Sequence, residues 1–205
     1  MTLHVVQPMA STLRTASLYL GRLKSGGGFL TRGELADANS GTLALAAPHP
    51  VFNLAADEVG NSDALAHTRM TGWRFIVLSQ GRAVATMELA ATSRRDVGHF
   101  SRVTDGRMAA SSARAIGRAE RSMQARRRRY ALGMVRITAL GVTALWLRDL
   151  DKVGRHDLFS LVEPVPAGIT AERWLPLTQW MRALKRASDQ RLSLSLRLRP
   201  DVRKT

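Results

Sequence analysis

The chain has 205 residues, with 31 Lys plus Arg against 16 Asp plus Glu, and a formal net charge of +15. Its 45% hydrophobic and 23% charged fractions are those of a globular protein and exclude wholesale disorder. The absence of cysteine excludes a disulfide framework, thiolate catalysis and Cys-ligated metal centres.

The length suits one domain or two small ones. No early basic region or long apolar core marks Met1–Ala10 as a secretory signal. Residues 10–24 read as a first helix that ends at Ser25-Gly-Gly-Gly28, where glycine lets the chain leave the helix at positive φ. Residues 25–70 are rich in Gly, Asn, Asp and Pro, including Pro48-His49-Pro50, and read as an irregular arm. Trp73–Leu78 and Ala83–Ala90, joined through Gly81, have the pattern of a β-hairpin. Residues 91–103 read as loop, and Asp105 as the cap of a helix from about Gly106 to Arg126.

Two strands are expected at Tyr130–Ile137 and Val142–Arg148, and a short one at Asp157–Val162. The apolar run Tyr130–Leu147 follows four arginines, as a membrane anchor would, but Arg136 in its middle argues against insertion. A second long helix is expected from Thr170 to Ser188, with Pro176 as an early interruption. These elements predict an α+β fold: an antiparallel sheet in the order ββαβββα from residue 73, with helices packed on one side. The expected organisation is an N-terminal helix and arm at 1–70, a core domain at 71–190 and a tail at 191–205.

The charge is concentrated. Residues 1–70 carry five basic and five acidic residues, whereas 71–149 carry fifteen arginines against five acids, and 150–205 eleven basic against six acidic. This argues for a basic face rather than a basic background. The 27 arginines against four lysines, together with 28 alanines, also carry the mark of GC-rich codon usage.

Three features stand out. On a helical wheel Arg107, Arg114, Arg118 and Arg121 share a narrow sector, opposite Ala109, Ser112, Ile116, Ala119 and Met123. Guanidinium forks in a row suit phosphate oxygens, and a solvated helix face is the plain alternative. Arg126, Arg127, Arg128 and Arg129 follow, and complementing a helix dipole accounts for only one or two of them. In the tail, Leu192, Leu194, Leu196 and Leu198 alternate with Ser and Arg, the period of a half-buried strand over 191–199. Such a strand would complete the protein's own sheet or add to an edge of another chain.

Catalytic motifs are missing: there is no Gly-x-Ser-x-Gly, His-Glu-x-x-His, Walker loop or Gly-x-Gly-x-x-Gly. The five histidines are too widely spaced for a helical metal site, and no cofactor is implied. His156-Asp157 resembles a metal-phosphohydrolase dyad only superficially. If there is an enzyme site, His99, Arg102 and Asp105 meeting in one loop are its best candidates. The leading expectation is a non-enzymatic, cytoplasmic module whose arginines at 107, 114, 118, 121 and 126–129 bind a polyanion, nucleic-acid backbone without sequence readout. The alternative is an assembly subunit that uses the tail strand and sets the basic face against an acidic protein surface. Neither reading involves a membrane.

Overall fold

The computed structural model describes residues 3–4, 6–25, 35–61, 63–91, 99–121, 128–152, 154–165, 171 and 173–197. They form an α+β structure built on one eight-stranded sheet. In chain order the elements are α1 (Ala10–Lys24), β1 (Leu43–Asn53), β2 (Arg69–Ser79), β3 (Arg82–Ala90), β4 (His99–Asp105) and α2 (Arg107–Arg121). After these come β5 (Tyr130–Ile137), β6 (Val142–Asp149), β7 (Leu158–Leu161), β8 (Trp174–Pro176) and α3 (Leu177–Arg197). Across the sheet the order is β4-β3-β2-β1-β5-β6-β7-β8. All neighbours are antiparallel except β1 and β5, which pair in parallel through Val51–Asn53.

The hairpin forms as its sequence dictates. Gln80 and Gly81 both take positive φ, 49° and 79°, the two-residue turn whose twist matches the flanking strands. Gly72 has a different role: a Cβ there would run into the Leu89 carbonyl oxygen of β3. Pro176 ends β8 and leaves α3 to begin at Leu177.

Several expectations need correction. The arm at 25–70 contains β1, which lies in the middle of the sheet, so the sheet is not confined to 71–190. Its Pro48 falls in the bulge between Ala46 and His49, where Ala47 takes φ 45°, and pairing with β5 starts only at Val51, beyond both prolines. The expected loop at 91–103 includes the start of edge strand β4. The tail is not a strand over the described part of 191–199, because residues 191–197 continue α3. A leucine–polar alternation that continues a long helix is read by the helix and not by a sheet.

The helices cover both faces of the sheet, not one. On β2, Phe75 and Val77 pack with Ala16 and Leu23 of α1, while Ile76 packs with Ala109, Ala115, Ile116 and Ala119 of α2. On β5, Leu132 and Met134 join the α2 cluster, while Val135 and Ile137 join Trp180 and Leu184 of α3. Successive strand residues point to opposite faces. Hence α2 lies on one face, and α1 and α3 lie on the other. The α3 contact is anchored by Trp180, fully buried and stacked on Phe159 at 4.1 Å between ring centroids.

Candidate functional site

Helix α2 folds with the polarity its wheel predicts. Ala109, Ser112, Ala115, Ile116 and Ala119 are buried against the sheet, and Arg107, Arg114, Arg118 and Arg121 are exposed on the outer side. Small residues let the helix approach the strands closely. The helix is tied down by the Glu163 N–H, which donates to Ser111 Oγ at 3.1 Å, and by Trp174 Nε1, which donates to the Ala115 carbonyl at 3.2 Å. The Arg121 guanidinium folds back over Gly117, 3.3 Å from where a Cβ would stand. Arg114 and Arg118 also interact within the chain.

The four-arginine run divides. Arg126 and Arg127 lie outside the described residues. Arg128 meets Asp149 at 3.3 Å, and Arg129 meets Asp151 at 2.7 Å. Asp151 is held below the usual carboxylate range, chiefly by its hydrogen bond from Arg129. These two arginines therefore have internal counter-charges, supplied by residues about twenty positions further along the chain. Sequence proximity did not reveal those partners.

Charged residues that the sequence reading passed over form a cluster on the sheet face that α2 covers. Glu88 on β3 pairs in register with Arg74 on β2 and Arg102 on β4, so all three point to one face. Arg136 reaches Glu88 from β5. Glu88 Oε1 accepts from Arg74 Nη2 at 2.8 Å and from Arg136 Nη2 at 2.7 Å, and Oε2 accepts from Arg102 Nε at 3.0 Å. The cluster runs from interior to surface: Arg74 is 0% exposed, Arg136 22% and Arg102 47%. Among the described residues one carboxylate thus faces three guanidiniums, a positive surplus where solvent reaches Arg102 and Arg136.

The environment keeps these groups ionised. Burial alone would raise the Glu88 pKa, but Arg74, Arg136 and Arg102 outweigh it and hold the carboxyl below its ordinary value. Burial lowers the Arg74 pKa to about 10 against the pull of Glu88, which leaves it charged at neutral pH. Its two terminal nitrogens also point at soft acceptors, Nη1 at Met134 Sδ at 3.1 Å and Nη2 at Met108 Sδ of α2 at 2.9 Å. His49, opposite Arg74 on β1, is pushed down to about 4, first by burial, and is neutral. Its Nδ1 lies 2.7 Å from the Ala47 carbonyl and donates to it, while Nε2 and Arg74 Nε are both buried without partners. The signal for this cluster was in the sequence: Arg74, Glu88 and Arg136 are charges set inside the largely apolar runs of their strands.

The remaining candidates do not assemble into catalytic machinery. His99 and Asp105 stand at opposite ends of β4, about 20 Å apart at the rise of a strand, and Arg102 between them is committed to Glu88. They do not meet in one loop. Asp157, whose pKa is raised by burial, accepts from Trp146 Nε1 at 2.7 Å and from the Asp149 N–H at 2.9 Å, a role in holding β6 and the following turn together. Among the described residues no group of three or more His, Asp or Glu could hold a metal ion. No described helix is long and apolar enough to cross a membrane. Compared with known proteins, the chain matches no family model, no curated sequence and no solved structure.

Proposed function

We propose that the chain is a non-enzymatic binding module whose α2-bearing face engages a polyanion, with nucleic-acid backbone as the ligand. The observation that carries this reading is the Glu88 cluster, in which three fixed guanidiniums surround one carboxylate and the two outer ones open to solvent. A cluster that needed only internal neutrality would have one counter-charge per arginine. The surplus lies on the same side of the sheet as the exposed Arg107, Arg114, Arg118 and Arg121. Together they form a broad basic face of planar donors suited to phosphate oxygens.

Backbone contact without base readout fits this surface better than insertion into bases. The exposed side of α2 bears no aromatic residue on which a base could stack. Docking of a tail strand loses its basis, because residues 191–197 are helical. The first test is whether protein purified at low salt carries ultraviolet absorbance from nucleic acid that a high-salt wash removes. Clean protein at low salt that also fails to retard duplexes of unrelated sequence would refute the proposal.

A further inference from the structure

A second polar site lies at the end of the sheet where β1 finishes and β2 begins. A cleft of about 680 Å³ is lined there by Asn53, Glu58, His67, Arg69 and Thr71. Two 3-10 turns, Ala56–Glu58 and Ala64–His67, form its outer wall. Asn53 is the register partner of Arg69 on β2 and of Arg136 on β5, so two arginines flank it across adjacent strands.

The hydrogen bonding within the wall uses acceptors and leaves donors. Glu58 Oε2 accepts from His67 Nδ1 at 3.0 Å and from Asn61 Nδ2 at 2.8 Å. Asn53 Oδ1 accepts from Thr138 Oγ1 at 3.3 Å, which turns the Asn53 amide NH₂ to other uses. The hydrogen bond from His67 to Glu58 raises the imidazole pKa and so favours the cation, the form in which Nε2 also donates. Arg69 is exposed and has no ion-pair partner among the described residues.

We propose that this cleft binds a small hydroxylated phosphomonoester, with its phosphate held by Arg69, His67 Nε2 and the Asn53 amide. Three separate donors match the three terminal oxygens of such a phosphate. Glu58 Oε1, left over from the pair with His67, accepts from a hydroxyl of the same ligand. The volume falls within the range of small-molecule pockets and exceeds what a bare phosphate fills, leaving room for a sugar-sized body. The site is separate from the α2 arginines and does not rest on the polyanion reading.

The test follows the His67 ring resonances by NMR while glucose 6-phosphate is added, with gluconate as a carboxylate of similar size. The expected result is a saturable shift with glucose 6-phosphate, at least tenfold weaker binding of gluconate, and at least tenfold weaker glucose 6-phosphate binding in Arg69→Gln. Arg118→Gln on α2 should bind the sugar phosphate as the parent chain does. Arg69 is a surface residue, so its variant keeps the fold and the His67 reporter. No saturable shift, equal binding of gluconate, or unchanged affinity in Arg69→Gln would overturn the proposal. Loss of glucose 6-phosphate binding in Arg118→Gln would overturn it as well, by moving the phosphate to the α2 face.

Discussion

Arg74 and Glu88 face each other across β2 and β3 with their charged atoms 2.8 Å apart, and the arginine is wholly withdrawn from solvent. Two further arginines converge on the same carboxylate, so among the described residues Glu88 is the anion that a buried cation and two partly exposed ones share. Removing one partner of a buried pair leaves an uncompensated charge, which destabilises by about 3–5 kcal/mol. Glu88→Gln should therefore lower the unfolding free energy by that amount, read from urea denaturation as a lower midpoint at unchanged m. Arg102→Gln, on the exposed rim, should cost less than about 1 kcal/mol. The double change Glu88→Leu with Arg74→Met should recover much of the loss, because it removes the wholly buried charge and leaves Arg102 and Arg136, which keep access to solvent. Glu88→Gln within about 1 kcal/mol of the parent would show that the cluster is not electrostatically strained in this way.

His49 sets an acid limit on stability. Its folded pKa is about 4 against an ordinary 6.5, so between those values the unfolded chain binds a proton that the folded chain refuses. Stability from this residue is complete above about 6.5 and is lost as the pH falls through that window to about 4, an effect on the order of 3 kcal/mol. Glu88 adds a loss in the same direction, since its depressed pKa contributes stability at higher pH that disappears as the folded carboxyl is protonated. Urea midpoints measured from pH 7 to pH 4 should fall, and His49→Asn should flatten the part of the slope between pH 6.5 and 4.5. An unchanged slope in that variant would place the acid sensitivity elsewhere.

Trp180 attaches α3 to the sheet through its stack on Phe159 and burial beside Leu184. Trp180→Ala should destabilise by about 3–5 kcal/mol, the usual cost of deleting a large buried aromatic. Calorimetry would read this as a lowered Tm, whereas a shift of less than about 1 kcal/mol would mean that α3 is held by other contacts.

Local pattern made part of this architecture legible in the sequence. The β2–β3 hairpin follows from apolar runs around Gly81, and the buried side of α2 follows from Ala109, Ser112, Ile116 and Ala119 on the wheel. What stayed hidden depends on partners distant in the chain. β1 is a central strand despite Pro48 and Pro50, because the bulge takes one and the parallel ladder starts beyond the other. The counter-charges of Arg128 and Arg129 come from the end of β6 and the turn after it. The Glu88 cluster joins four strands whose order across the sheet is not written in any one of them. Arg136 read only as an obstacle to membrane insertion, although it shares a glutamate 48 positions earlier with two other arginines.

The central claim is that the α2-bearing face meets a phosphate backbone. The direct measurement is the affinity for a duplex of arbitrary sequence as a function of salt, for the parent chain and for Arg107→Ala/Arg114→Ala/Arg118→Ala/Arg121→Ala. If six or more phosphates are met, the parent affinity should fall by about 10³ or more between 50 and 200 mM salt, equally for unrelated sequences. The quadruple variant should bind more weakly, with a log–log salt slope smaller by about three to four. A parent affinity indifferent to salt, or a quadruple variant with the parent's slope, would contradict the assignment of this face.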